Sequence, residues 1–142
     1  MSFVIFDLDG TLALITHRRH FVENGNRDWD GFFEACDQDE PNWPVIYVYH
    51  AMRAAGHHVL VWSGRSDQVR DKTEAWLEKH LGHSPRLRMR KAGDYTPDHI
   101  LKEQWLDELG SPPVMVFDDR SRVVNMWRER GITCLQVAPG DF

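Results

Sequence analysis

An α/β fold, with helices laid on both faces of one parallel sheet, is predicted by three features of the sequence. Apolar runs of strand length alternate with stretches of helical period, the runs are continuously apolar rather than alternating, and polar residues follow the long ones. The first run, Phe3 to Phe6, ends at Asp7 and reads as a fully buried strand. His58 to Trp62 is a second, Pro113 to Phe117 a third and Thr133 to Val137 a weaker last one, while Leu87 to Met89 reads as a shorter edge strand. Helices fill the intervals. Val45, Val48, Tyr49 and Met52 stand at i, i+3, i+4 and i+7, with Pro44 suited to the first turn and Gly56 to the exit. Val69, Thr73, Trp76 and Leu77 form a second such face after the capping pair Ser66-Asp67. Thr96-Pro97-Asp98 opens a third helix carrying Ile100, Leu101, Trp105 and Leu109, and Val123, Val124 and Trp127 mark a fourth, closed by Gly131. Right-handed crossovers then give a single Rossmann-like, three-layer domain over residues 1–142. Residues 10–39 break the rhythm. They are too many for a bare connection and carry Trp29, Phe32 and Phe33, which predicts a small irregular or helical insertion after the first strand, either gating a site or simply packing.

At 142 residues the chain can bury roughly 70% of its extended surface, so it needs no disulfide or zinc. Cys36 and Cys134 belong to no Cys-x-x-Cys pair and read as reduced, intracellular thiols, Cys134 within a core strand. The opening Met-Ser-Phe-Val-Ile-Phe-Asp is too short and acidic for a signal peptide, and no apolar stretch has membrane-spanning length. A cytoplasmic protein with no membrane partner is expected. The net charge of −5 argues against a broadly basic, nucleic-acid-coating surface, so any polynucleotide contact must be local. The local candidates are His17-Arg18-Arg19-His20 and the alternating Arg86, Arg88 and Arg90, although edge-strand charges also serve to discourage sheet-to-sheet pairing.

The chemistry concentrates in Phe6-Asp7-Leu8-Asp9-Gly10-Thr11-Leu12. Asp is a poor strand residue and costly to bury unpaired, so two at one strand end call for a metal, a cationic partner or water. Asp7 is placed to be a nucleophile and Asp9 its acid/base partner; an ordinary Asp9-Gly10 turn is the structural alternative. A calcium loop is disfavoured, because Arg18 stands where the bidentate Glu would fall and the Gly comes too early.

Ligands of open parallel sheets lie beyond the carboxyl ends of the strands, at the switch in strand order. There the sequence offers Asp7 and Asp9, then Ser63-Gly64-Arg65, then Asp118-Asp119-Arg120. Asp7, Asp118 and Asp119 are hard oxygen donors suited to magnesium. Ser63 and the backbone at Gly64 can donate to phosphate oxygens, though Ser63 alone also suits a helix cap. Asp98 and Lys102, four apart, make either an exposed ion pair of about 0.3 to 0.5 kcal/mol or a unit in which Asp98 holds Lys102 against a phosphoryl group. Arg18, Arg65 and Arg120 can be substrate clamps or surface charge. A serine hydrolase is disfavoured, since Ser63 lies in no Gly-x-Ser-x-Gly elbow.

Asp7-x-Asp9-Gly10-Thr11, Ser63, Lys102 and Asp118-Asp119 together resemble the four motifs of the haloacid-dehalogenase-like phosphatases, over nearly the whole chain. Ser63-Gly64-Arg65, Asp118-Asp119-Arg120, Val123-Val124-x-Met126-Trp127-Arg128, Gln136-Val137-Ala138 and Gly140-Asp141-Phe142 resemble more narrowly the 3′-phosphatase domains of phage polynucleotide kinase/phosphatases. The resemblance implies a Mg2+-dependent phosphoric monoester hydrolase that takes the 3′-phosphate from a DNA or RNA end, as in nucleic-acid repair, and releases inorganic phosphate. It implies that Asp7 attacks phosphorus to form an aspartyl-phosphate, that Asp9 protonates the leaving oxygen and then activates water, and that Ser63 and Lys102 hold the transferring oxygens. It further implies metal ligation by Asp7, the Asp9 main-chain carbonyl and Asp118, with Asp119 direct or supporting, and substrate-side roles for Thr11, Arg18, Gly64, Arg65, Asp98 and Arg120. No Gly-x-x-x-x-Gly-Lys-Ser/Thr phosphate loop occurs, so no kinase activity is expected. The two competing expectations are a phosphatase of nucleoside monophosphates or other small phosphometabolites, and a catalytically silent module that binds nucleic-acid ends.

Overall fold

A computed structural model describes residues 2–142 of the chain. Strand β1 (Phe3–Phe6) is the centre of a five-stranded, wholly parallel sheet, flanked on one side by β4 (His58–Ser66) and then β5 (Arg86–Arg90), and on the other by β6 (Met115–Asp118) and then β7 (Cys134–Gln136). Two-residue strands β2 (Ala13–Leu14) and β3 (Glu40–Pro41) form a separate antiparallel ribbon.

Because side chains alternate across a strand, each central strand feeds two cores. Val4, Phe6, Val59, Val61 and Phe117 pack beneath α2 (Trp43–Ala54) and α3 (Arg70–Leu81), against Ile46, Tyr49, Trp76 and Leu77. Ile5, Leu60, Trp62 and Val116 pack on the other face beneath α4 (Asp98–Leu109) and α5 (Ser121–Glu129), against Leu101, Trp105, Val124 and Trp127. The expected three layers are therefore present, with Cys36 and Cys134 both buried free thiols.

Some elements differ in detail. Val45, Val48 and Met52 of α2 pack against the core as expected, with Ile46, fully buried, added to that face, whereas Ile100 of α4 is exposed at 41%. Strand β4 runs on through Ser66, so Ser63-Gly64-Arg65 lies inside the strand, at a register irregularity against β5 between Ser63 and Ser66. It is Ser66, not Ser63, whose hydroxyl caps the following turn, accepting from the Gln68 N–H at 3.3 Å. The 10–39 excursion folds as β2, a 3-10 segment Thr16–Phe21, helix α1 (Trp29–Glu34) and a second 3-10 segment Ala35–Gln38.

The arginine row departs from the sequence expectation. Arg86, Arg88 and Arg90 do share one face of edge strand β5, but α4 covers that face: Arg88 stacks over Trp105 at 4.9 Å and pairs with Glu108, and Arg90 is bound to main-chain carbonyls and to Asp98. Arg88 and Arg90 are thus already paired, and the row is not a strip of free cations.

Candidate active site

The chain runs from β1 outward to β5 and then crosses to β6, which makes the carboxyl ends of β1 and β6 the switch point of the sheet. Asp7 stands one residue past β1, its N–H donating to the Phe117 carbonyl at 2.9 Å, and Asp118 closes β6. Lys102, on the second turn of α4, reaches in from above and donates to Asp7 Oδ1 at 2.8 Å and Asp118 Oδ2 at 3.0 Å. Thr11 donates to Asp7 Oδ2 at 3.0 Å, so both oxygens of Asp7 are oriented. The N–H groups of Asp119 and Arg120 fix Asp118 Oδ1 at 2.8 and 3.2 Å.

Asp7, Asp118 and Asp119 are buried, and each offers a carboxylate oxygen within 4.8 Å of the others. Three carboxylates here share one ammonium. Burial and then the Asp118 charge push Asp7 well above the usual carboxylate range against the opposing pull of Lys102, and burial with Asp118 pushes Asp119 up to about 6. Lys102 is held charged: burial disfavours its ammonium, but Asp118 and Asp7 outweigh it. A compact, all-oxygen donor set with excess negative charge fits a hard divalent cation such as magnesium. Gly10 is the residue that lets Asp119 join the set. Its φ is +81°, and a Cβ there would lie 2.0 Å from Asp119 Oδ2.

The same charge excess gives a thermal prediction. Asp119 binds its proton more tightly folded than unfolded, so its contribution destabilises the metal-free protein as pH rises from 3.8 to about 6. Magnesium should remove that penalty. The increase in Tm on adding magnesium to chelator-treated protein is therefore expected to be larger at about pH 7 than at about pH 5, as read by calorimetry; an increase independent of pH would count against cation binding at this cluster.

Asp9 sits beside this set, its side chain 21% exposed, and is held from behind. Its Oδ1 accepts from Arg18 Nη2 at 2.6 Å and from Arg65 Nε and Nη2 at 2.9 and 2.7 Å. Both guanidiniums also bind Asp39, Arg18 through Nε and Nη2 at 2.7 Å each and Arg65 through Nη2 at 2.9 Å. Arg18 lies 4.3 Å over the Phe32 ring, and Arg65 Nη1 donates to Thr73 at 3.1 Å. Two carboxylates thus neutralise two buried guanidiniums. Burial alone would raise the Asp9 carboxyl, but Arg65 and Arg18 outweigh it and hold it below its ordinary value.

Arg18 and Arg65 are consequently not open clamps at the cleft surface; as placed, they orient Asp9. Asp98 likewise departs from expectation: it pairs with Arg90 and, through Oδ2, with Arg120 Nη1 at 2.7 Å, and makes no hydrogen bond to Lys102. Asp98 opens α4 while Lys102 points down onto the sheet, so the two share no direct hydrogen bond, although the Asp98 charge adds to those of Asp118 and Asp7 in holding Lys102 protonated. Arg120 also donates through Nε to the Phe142 carbonyl at 2.8 Å. Ser63 is buried, its Oγ accepting from the Arg65 N–H at 3.1 Å, and Gly64 reaches the cleft wall. A Cβ on Gly64 would lie 2.6 Å from Asp98 Oδ1. Asp39, the carboxylate behind the two arginines, is a buried member of this network that sequence reasoning misses. Its neighbours in Asp37-Gln38-Asp39-Glu40 look like a solvated acidic stretch, and only its fold contacts, including the Trp76 Nε1 donation to its carbonyl at 2.9 Å, reveal it as buried.

Above Asp7, Asp9, Lys102, Asp118 and Asp119 opens a cleft of about 680 Å³. Its walls are the insertion, the 90–99 segment between β5 and α4, and the amino end of α5.

The family model of the polynucleotide kinase PNKP phosphatase domain matches residues 1–142. A protein of Autographa californica nuclear polyhedrosis virus, named as a bifunctional polynucleotide kinase/RNA ligase, is 34% identical over 131 residues, 89% of this chain and 18% of that protein. Among solved structures, a chain of the Pnkp1/Rnl/Hen1 RNA repair complex superposes with TM-score 0.83 and 36% identity, over 99% of this chain and 43% of that one. The class C acid phosphatase of Bacillus anthracis shares the fold at TM-score 0.68 and 16% identity, over 99% of this chain and 67% of that one. The chain thus spans less than half the length of the first two.

Proposed function

Because the chain belongs to the polynucleotide kinase PNKP phosphatase-domain family, we propose that it removes the 3′-phosphate from nucleic-acid ends through a covalent aspartyl-phosphate. The observation that carries the reading is Asp7, fixed by Lys102 and Thr11 on the floor of the cleft and ringed by Asp118 and Asp119. A nucleophile at that place attacks phosphorus in line with the bond to the sugar oxygen, which breaks as the Asp7–phosphorus bond forms. Asp9 gives its proton to the departing 3′-oxygen. In the second half it takes a proton from water as that water attacks phosphorus, freeing Asp7 and inorganic phosphate.

Arg18 and Arg65, with Asp39 behind them, hold Asp9 in register and stabilise the carboxylate left once it has given its proton to the leaving oxygen, the form that activates water in the second half. Lys102 neutralises charge developing on the phosphoryl oxygens, with the Ser63 hydroxyl and the Gly64 backbone as further donors. Arg120, steadied by Asp98, faces the substrate side of the cleft. Magnesium held by Asp7, Asp118, Asp119 and the Asp9 carbonyl would supply charge neutralisation at the transferring phosphate. Cytoplasmic action on repair intermediates belongs to the same proposal. Among the described residues, no helix is long and apolar enough to cross a membrane.

The test is a parallel assay with magnesium on a 3′-phosphorylated oligonucleotide, its 5′-phosphorylated counterpart and nucleoside 3′- and 5′-monophosphates. The 3′-phosphorylated oligonucleotide is expected to show the highest kcat/KM. Higher efficiency on mononucleotides would assign the protein to small phosphometabolites, and absence of turnover on all of them, with binding retained, would make it a silent end-binding module.

A further inference from the structure

Tyr95 is 92% exposed, although the chain on either side of it is firmly held. Asp94 Oδ1 accepts from the Thr96 N–H at 3.0 Å and from its hydroxyl at 2.6 Å, and Arg90 Nη1 donates to the carbonyls of Asp94 and Thr96 at 3.1 and 2.5 Å. A segment clamped on both sides thereby presents one aromatic ring, packed on nothing, to the cleft that holds Asp7. The insertion contributes a second ring to the same cleft. Trp29 is 49% exposed and is propped edge-on against Phe32, with ring centroids 5.6 Å apart. Of the six tryptophans only Trp29 and Trp43 are exposed, and Trp43 lies away from the cleft. Lys91 and Arg122 line the cleft as well, exposed and in no ion pair among the described residues.

We propose that Tyr95 and Trp29 form a stacking subsite for the bases of a single-stranded nucleic-acid 3′ end, with Lys91 and Arg122 near its phosphodiesters. The inference rests on the phosphatase reading and adds the form of the substrate. Every base has a π-face, so rings displayed this way bind without regard to sequence. A paired duplex end exposes only the outer face of its terminal pair, whereas a single strand can offer each of its last bases to a ring, so the subsite favours single-stranded or frayed ends. Contacts remote from phosphorus and equal in ground and transition states change KM rather than kcat.

The experiment compares two single-stranded oligonucleotides with 3′-phosphate, one with ordinary terminal nucleotides and one whose last two nucleotides are abasic. Parent, Tyr95→Ala, Tyr95→Phe and Trp29→Ala proteins are assayed on both, with Tm recorded for each variant. The abasic end should raise the parent's KM about tenfold or more. Tyr95→Ala and Trp29→Ala should raise KM to a similar extent on the ordinary end and add nothing on the abasic end, while Tyr95→Phe stays near the parent. Equal losses on both ends, or none on either, would overturn the subsite. The same proteins are also titrated by anisotropy with unphosphorylated oligonucleotides of both kinds. If the parent binds with base dependence that Tyr95→Ala removes but releases no phosphate, the subsite stands and the phosphatase reading falls. Turnover without base dependence would leave the phosphatase reading standing and remove the subsite.

Discussion

Asp7→Asn is expected to lower phosphate release by at least about 10⁴-fold while leaving the metal-free protein as stable as the parent or more so. The amide keeps the size of the side chain and an oxygen for Lys102 or Thr11, but it is no nucleophile. It also removes one of three negative charges crowded around a single ammonium, and a carboxyl whose proton is already held more tightly in the folded state than in the unfolded chain gives up stability when ionised. Function and stability pull in opposite directions at this residue, as expected where charges are assembled for catalysis. Two measurements check it. Radiolabel from a 3′-³²P end should remain on acid-quenched parent protein and be missing from the variant, and Tm in chelator should not fall. Phosphate release near the parent rate would end the covalent mechanism.

The parts of this site legible in the sequence are those set by one strand or one helix. Phe3 to Phe6 could only be buried on both faces, so Asp7 had to emerge at the sheet's end; the run before Asp118 had the same force. Lys102 shares a helical face with Leu101, Trp105 and Leu106, all buried, which brings it down onto the sheet. What stayed illegible depends on direction and on distant neighbours. Sequence spacing cannot say whether a guanidinium turns to a cleft or to a carboxylate behind it, and Arg18 and Arg65 turn to Asp9 and Asp39. Asp39 owes its burial to packing of its 3-10 segment against α3 and Trp76, a tertiary event with no local signature. The i,i+4 spacing of Asp98 and Lys102 likewise gives no hydrogen bond between them, because burial, not spacing, decides where a lysine points. The alternation of Arg86, Arg88 and Arg90 is real, but α4 covers the face it defines.

Asp9→Asn separates the two halves of the reaction. The variant is expected to lose about 10²- to 10⁴-fold in kcat on a 3′-phosphorylated oligonucleotide, since a poor alkoxide leaving group then departs without a proton and water attacks without a base. An aryl phosphate needs no proton on its leaving group. On that substrate the variant should release a stoichiometric burst of phenolate as Asp7 is phosphorylated and then stall, because only the hydrolytic half still requires Asp9. Stability should move opposite to Asp7→Asn. The amide oxygen can still accept from Arg18 and Arg65, but two buried guanidiniums are left with Asp39 as their one carboxylate, and the Tm should fall by several degrees. A depressed folded-state carboxyl contributes stability above its unfolded pKa and loses it as pH falls through the folded value, so the gap in Tm between parent and variant should close on acidification. Equal slowing of the burst and the steady state would show that Asp9 does not serve the second half as base, and a variant more stable than the parent at neutral pH would show that it does not balance the arginine pair.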